Sequence, residues 1–123
     1  MFNVFDVVGS AMSAQSVRMN VTASNIANAE VSAPSPEDAY RARNPVFATI
    51  LDDQSRAYGG VRVLDVVDDP AQGPRRFEPS NPRADESGYV YLSNVNVLEE
   101  MVNMMSASRT YQNSIEVLNT SKQ

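Results

Sequence analysis

The 123-residue sequence contains no cysteine, no histidine and no tryptophan. Without histidine or cysteine it lacks the commonest general base, the commonest activated nucleophile and the main ligands of transition metals. The lack of cysteine also excludes a disulfide framework, which fits either a reducing compartment or an exported protein. We therefore predict that the protein is not an enzyme and has no cofactor and no metal site.

Positive charge is scarce as well. Ten Lys and Arg residues against fifteen Asp and Glu residues give a net charge of −5. Arg75 and Arg76 are too isolated to form the basic patch that a nucleic-acid backbone requires, so we predict no nucleic-acid binding. The first residues lack a basic region, Asp6 interrupts the apolar run, and that run does not reach membrane-spanning length. We expect neither a cleaved signal peptide nor direct membrane insertion.

Three acidic pairs remain as candidates for chemistry, namely Asp52-Asp53, Asp68-Asp69 and Asp85-Glu86. Paired carboxylates can act as an acid and base or bind calcium. Each pair adjoins a turn, and none has the spacing of a calcium loop, so we interpret them as solvated turn residues. A calcium-binding or carboxylate-dependent β domain between helical arms is kept as an alternative.

The sequence does contain a long helical pattern at its C-terminal end. Its residues recur at spacings of four and three, which is typical of a coiled-coil seam: Val97, Met101, Met104, Ser108, Tyr111, Ile115, Leu118 and Lys122. Leu98 and Met105 widen this seam on one side. Asn96 and Glu99 can form a capping box in front of it. At about 1.5 Å per residue, the pattern predicts a helix of about 26 residues and roughly 39 Å.

A second helical pattern covers residues 3–28. Its apolar side follows the same spacing, and its opposite side carries small polar residues where a solvated helix normally has Lys and Glu: Gly9, Ser10, Ser13, Ser16, Asn20 and Ser24. Small side chains allow another backbone to approach closely, so we predict neighbours on more than one side of this helix. The alternative is a single buried helix in a two-helix core.

The middle of the chain has no long helical pattern and contains prolines and short apolar runs. Pro34 and Pro36 end the first helix, and short strands are predicted at residues 46–51, 61–67 and 89–92. The proline-rich segment 69–87 is predicted to be an irregular surface loop. The predicted fold is α+β, with an N-terminal helix (1–30), a β-rich middle (31–95) and a C-terminal helix (96–123). The two helices are expected to pair as a coiled-coil-like hairpin.

Several segments carry a resemblance to a known family. They are residues 93–105, 108–112 and 116–120 at one end, residues 5–6, 10–15 and 23–29 at the other, and residues 40–43 and 88–91 between them. These segments resemble the flagellar basal-body rod proteins, in particular the proximal-rod members. The resemblance covers most of the chain.

The resemblance implies a structural subunit of the bacterial flagellar basal body, exported by the flagellar type III apparatus and built into the rod that crosses the periplasm. Its terminal helices would polymerise into the inner core of a drive shaft that transmits torque, and its β-rich middle would face outward. Partners would be copies of itself, other rod proteins, and the basal-body ring and export-gate adaptor proteins. Subunit contacts would fall on Phe5, Val8, Met12, Met19, Asn25, Ile26, Asn28, Met101, Met104, Tyr111, Ile115 and Leu118.

The sequence departs from the family pattern in two places. Family members commonly follow the motif of Asn25 and Asn28 with Thr-x-Gly, whereas residues 29–34 differ here. They also usually continue past residue 123, so we expect a chain shortened at this end. The alternative function is a self-contained helical-hairpin adaptor or secretion chaperone that buries both seams within its own chain. The near-absence of charge on the first helix argues against that alternative.

Overall fold

The computed structural model describes residues 4–51 and 58–121. Within these residues the chain forms helix α1 (Val4–Asn28), strands β1 (Arg43–Leu51), β2 (Tyr58–Asp68), β3 (Arg75–Phe77) and β4 (Tyr89–Tyr91), and helix α2 (Val97–Ser121). This order of elements confirms the predicted α+β fold. Lys122 at the end of the predicted seam, Asn3 at the start of the first helical pattern and the pair Asp52-Asp53 lie outside the described residues.

The two long helices pack against each other, as the predicted hairpin requires. Helix α2 begins where the capping pattern indicated, because Asn96 Oδ1 accepts the backbone N–H of Glu99 at 3.2 Å. The described residues show no return bond from the Asn96 N–H to the Glu99 carboxylate. The capping box therefore forms on one side, and the start of α2 depends on Asn96.

Four strands form two small antiparallel sheets in the described part of the chain. Strand β1 pairs with β2 from Arg43 opposite Asp68 to Leu51 opposite Tyr58, with a bulge at Leu64. Strand β3 pairs with β4. Ala33 adds an isolated antiparallel bridge to Tyr91, which attaches the segment after α1 to β4. The β1–β2 ribbon lies against α1. The β3–β4 pair is joined to the segment after α1 through the Ala33 bridge.

Strand β3 corrects the prediction for residues 69–87, which placed a loop without strands there. The three residues Arg75, Arg76 and Phe77 are all exposed and carry no alternating pattern. They become a strand because Tyr89–Tyr91 offers a pairing partner more than ten residues later. Tertiary pairing therefore outweighed local propensity here.

The small polar face of α1 is partly covered by the middle of the same chain, at Ser10 and Ser24. Ser10 Oγ accepts the N–H of Val61 on β2 at 3.0 Å and donates to Val7 O at 2.8 Å. Ser24 Oγ lies 3.0 Å from the Tyr40 hydroxyl. Helix α1 thus has α2 on one side and the β1–β2 ribbon on another, and the hydroxyls that replace long charged side chains form bonds between them.

Gly60 marks a close approach of the ribbon to α1 and gives the first prediction. Its φ is +141°, and a Cβ at this position would lie 2.3 Å from Ser10 Oγ. We expect Gly60→Ala to lower the free energy of unfolding by about 1–3 kcal/mol, because both the backbone conformation and the contact become strained.

Gly9 provides the matched control, since a Cβ there would meet nothing within 4 Å. Gly9→Ala should raise the free energy of unfolding by about 0.5–1 kcal/mol through its better helix propensity. Urea unfolding followed by circular dichroism measures both. Equal stability of the Gly60→Ala variant and the parent would show that the ribbon does not press on α1.

Candidate assembly interface

The side of α2 that packs into the chain overlaps the side predicted from the apolar spacing only in part, since Met104, Tyr111 and Leu118 are half-buried. Ala107 is 0% exposed and Glu100 is buried, whereas Met101 and Ile115 of the predicted seam are 49% and 39% exposed. At 3.6 residues per turn, the buried side is rotated by roughly 40° from the predicted seam. The small side chain of Ala107 allows a close approach that methionine and isoleucine would prevent. The closest contact of α2 is therefore centred on Ala107 and not on Met101 or Ile115.

The rotation leaves an apolar strip on the outer side of α2, which we define as Leu98, Met101, Val102 and Met105. Leu98, Val102 and Met105 are between 62% and 77% exposed. A shallow groove of about 260 Å³ continues from Val102 and Met105 past Arg109. An exposed apolar patch of this kind is typical of an interaction site.

Three of these four residues were not among the predicted contacts. Their spacing of three, four and seven along the helix was present in the sequence, and Leu98 and Met105 were assigned to the edge of the seam. The rotation of α2 about its own axis could not be predicted from the sequence, because it depends on which face of α1 the helix contacts.

The twelve predicted contact residues differ in how much surface the single chain leaves for a partner. Phe5, Met101 and Ile115 are exposed, and Asn25 is fully buried. The remaining residues are half-buried: Val8, Met12, Met19, Ile26, Asn28, Met104, Tyr111 and Leu118. Intrachain packing already occupies part of the surface of these eight side chains.

Asn25 forms its contacts inside the chain. Its side chain is 1% exposed. The Oδ1 atom accepts the Tyr40 hydroxyl at 2.8 Å and the Arg43 N–H at 3.0 Å, and Nδ2 donates to Arg43 O at 2.9 Å. The amide therefore occupies both backbone groups of Arg43 and attaches the first residue of β1 to the last turns of α1.

A second polar cluster attaches the start of α2 to the same region. Asn94 Oδ1 accepts the N–H of Ala42 at 2.6 Å, and its Nδ2 donates to Ala71 O at 2.7 Å. Ser93 Oγ donates to Ala29 O at 2.8 Å. We call Asn25, Tyr40, Ser93 and Asn94 the polar junction, because their side chains join α1, the ribbon and α2 at one end of the helix pair.

Sequence reasoning gave the junction no role. Ser93 and Asn94 were noted only as part of the family resemblance, and Asn25 only as a predicted subunit contact. The sequence feature that could have indicated the junction is a set of amide and hydroxyl side chains next to the helix ends, where backbone groups need hydrogen-bond partners. The partners themselves come from other parts of the chain and are not visible in the local sequence.

The acidic pairs within the described residues mostly have structural partners. Asp68 lies 3.7 Å from Arg43, and Asp69 Oδ1 accepts the N–H of Ala71. Asp85 accepts the backbone N–H groups of Ser87 and Tyr89 and the Tyr91 hydroxyl. Across residues 4–51 and 58–121, no three acidic side chains converge as a metal-binding group. In the same ranges no helix has the length and apolar character to span a bilayer.

Two family models match the ends of the chain, on the segments that contain the two helices. The model described as flagella basal body rod protein matches residues 5–32. The model described as flagellar basal body rod FlgEFG protein C-terminal matches residues 86–123. The second match also includes β4 and the Ser93 and Asn94 side chains of the junction.

Relatives match over nearly the whole length. The flagellar basal-body rod protein FlgC of Yersinia enterocolitica is 50% identical over 122 residues. The proteins of the same name from Escherichia coli O6:H1 and Salmonella typhimurium LT2 are each 49% identical over 122 residues. Each alignment covers 99% of this chain and 90% of the relative.

Replacement of Asn25 tests the polar junction. Asn25→Ala leaves the N–H and C=O of Arg43 without the amide partner, so we expect it to lower the free energy of unfolding by about 2–4 kcal/mol. Asn20→Ala, an exposed asparagine of the same helix, should change it by less than about 0.5 kcal/mol. Thermal and urea unfolding compare the two variants, and equal effects would show that the hydrogen bonds of Asn25 do not stabilise the fold.

The Asp85 carboxyl gives a prediction on pH. The backbone N–H of Tyr89 and the Tyr91 hydroxyl lower the pKa of Asp85 below its ordinary value of 3.8. A lowered folded-state pKa means that the stabilisation is complete above the unfolded-state pKa and is lost as the pH falls through the folded-state pKa. We therefore expect Asp85→Asn to be less stable at pH 7 and to lose less stability than the parent between about pH 4 and pH 2.

The neighbouring exposed carboxylate Glu86 is the charge-matched control, because it accepts no hydrogen bond among the described residues. Glu86→Gln should keep the parent's loss of stability in acid. Urea unfolding at a series of pH values measures this, and parallel curves for Asp85→Asn and the parent would contradict the assignment.

Proposed function

Because the chain belongs to the FlgC family of flagellar basal-body rod proteins, we propose that it polymerises through its two terminal helices into the proximal rod. It is a structural subunit of the flagellar basal body. In the proposed assembly the helix pair forms the inner wall of a tube that transmits torque across the periplasm. The β-rich middle lies outside it.

The observation that carries the proposal is the exposed apolar strip of α2. Removal of apolar surface from water stabilises an interface by about 25 cal/mol for each Å². Leu98, Val102 and Met105 retain most of their surface in the single chain, so they can contribute this energy when a neighbouring subunit covers them. Their position on a rigid helix also gives the contact a fixed direction.

The twelve predicted contact residues are proposed to have two kinds of role. Phe5, Met101 and Ile115 are exposed and would touch neighbouring subunits directly. Asn25 would act indirectly, because its contacts hold the end of α1 in place. The half-buried residues would shape the helix pair and contribute their remaining surface. Residues 1–30 and 96–123 are accordingly proposed as the inner part of the subunit, and residues 31–95 as its outer part.

The proposed role requires no catalysis. A rod subunit must resist twisting, and stiffness comes from many simultaneous packed contacts between subunits. The carboxylates of Asp68, Asp69 and Asp85 are engaged in local bonds that stabilise turns and strand ends. This supports a mechanical subunit instead of an enzyme.

The proposed partners are copies of this chain and other flagellar rod proteins. The basal-body ring and export-gate adaptor proteins are further proposed partners, since the rod must be anchored at its base. Export by the flagellar type III apparatus would bring the chain to the site of assembly.

The alternative of a self-contained adaptor has one observation in its favour, namely that α1 and α2 pair within the single chain. A self-contained hairpin should also cover its apolar surface. The strip on α2 remains exposed after the helices pair, so the intrachain hairpin does not complete the burial. We therefore favour the rod subunit.

Charge substitution in the strip tests the proposed function. Leu98→Asp and Val102→Asp should leave the folded chain intact, because both positions are already in water, and should block polymerisation, because an unpaired buried carboxylate costs several kcal/mol. Far-ultraviolet circular dichroism checks the fold, and motility of a complemented deletion strain reports assembly.

Ser80→Asp adds the same charge at an exposed turn outside both helices and should support normal motility. Normal motility with Leu98→Asp and Val102→Asp together would show that the strip is not an assembly surface. That result would favour the self-contained adaptor.

A further inference from the structure

Two arginine side chains line the same small cavity on the outer part of the subunit. The cavity has a volume of about 140 Å³ and lies between the segment after α1, the loop before β3 and the end of β4. Arg41 and Arg75 form part of its lining, together with Gln72 and Tyr91. Its volume is well above the minimum that one water molecule needs.

Neither guanidinium is neutralised within the described residues. No carboxylate of these residues lies within ion-pair distance of Arg41 or Arg75, and neither Asp nor Glu lines the cavity. Asp85 lies beyond the Tyr91 hydroxyl, which donates to its Oδ2 at 2.8 Å. Two positive charges therefore share a cavity whose own lining has no carboxylate, and Asp85 is reached only through the Tyr91 hydroxyl.

Arg41 is held in place and still has donors to spare. Its Nη1 donates to the carbonyl oxygens of Pro70 and Ala71, and its Nη2 donates to Pro36 O. The Nε–H and a second N–H of Nη2 have no acceptor among the described residues. Carbonyl oxygens fix the orientation of the group without cancelling its charge.

Arg75 is positioned by an aromatic ring. Its guanidinium carbon lies 4.1 Å from the centroid of Tyr89, which fixes the plane of the group. Arg75 also lies close enough to the Tyr91 hydroxyl to oppose the rise in the pKa of that group. The Gln72 amide has no hydrogen-bond partner among the described residues. The cavity thus combines two oriented guanidinium groups with a free amide donor.

The geometry points to this cavity as a binding site for a single carboxylate group. Guanidinium groups match the two oxygens of a carboxylate, and charge-assisted bonds of this type are stronger than neutral ones. Two sources supply that chemistry: an Asp or Glu side chain of a neighbouring subunit, or a free small carboxylate. The first source depends on the proposed rod function, whereas binding at the cavity does not.

The first experiment uses the purified full-length chain and sodium acetate as the probe. Nitrogen-15 spectra of the arginine Nε–H groups are recorded during the titration, with sodium chloride replaced by sodium acetate at constant ionic strength. Saturable shifts of Arg41 and Arg75, without a matching shift of Arg83, are expected. Equal, unsaturated shifts of all three would overturn the proposal.

Variants on one strand make the test specific. Arg75→Gln should weaken acetate binding at Arg41 at least about tenfold, and Arg75→Lys by less, since lysine keeps the charge but loses the planar fork. Arg76→Gln is the control, because Arg76 lies 3.5 Å from Glu78 and does not line this cavity. Unchanged binding in a folded Arg75→Gln chain would also overturn the proposal.

A polymerisation assay distinguishes a carboxylate of a neighbouring subunit from a free small carboxylate. Weaker polymerisation of Arg75→Gln than of Arg76→Gln, together with inhibition of the parent by acetate, assigns the carboxylate to a neighbouring subunit. Acetate binding with normal polymerisation of Arg75→Gln assigns it to a free anion. In the second case the strip on α2 and the proposed rod function are unaffected, so failure of one proposal is separable from failure of the other.

Discussion

The structure depends on how much apolar surface a pair of helices can cover by itself. Helices α1 and α2 each bury one side against the other, and the small residues of α1 accept the β1–β2 ribbon on a second side. Nothing in the described chain covers the outer side of α2, where Leu98, Val102 and Met105 lie. The exposed strip is the surface that remains after the chain has completed its own packing.

The polar junction determines where that strip is placed. Asn25 fixes the first residue of β1, and Asn94 fixes the backbone of Ala42 and Ala71. The bonds to Arg43 and Ala42 are partly buried, so Asn25 and Asn94 need these partners in a defined geometry. A subunit that must repeat along a rod needs the same angle between its helices and its outer part in every copy. Directional hydrogen bonds supply such an angle more reliably than apolar contacts do.

The sequence was sufficient to predict most of the elements but not the rotation of the two helices relative to each other. Both long helices, the start of α2 at Asn96 and strand β2 follow from local patterns of apolar residues, caps and glycines. The buried face of α2 did not follow, because Ala107 gives no apolar signal comparable to Met101 or Ile115. Strand β3 and the partners of Asn25 were also missed, since both depend on residues far away in the chain.

Cysteine accessibility shows directly whether a neighbouring subunit covers the strip on α2, and single thiols can be introduced because the parent chain contains no cysteine. Val102→Cys places a thiol in the strip, and Ala107→Cys places one between the paired helices. We expect a maleimide to label Val102→Cys rapidly in the dilute subunit and hardly at all in the assembled rod, while Ala107→Cys is protected in both states. Rapid labelling of Val102→Cys within the assembled rod would show that no subunit covers the strip.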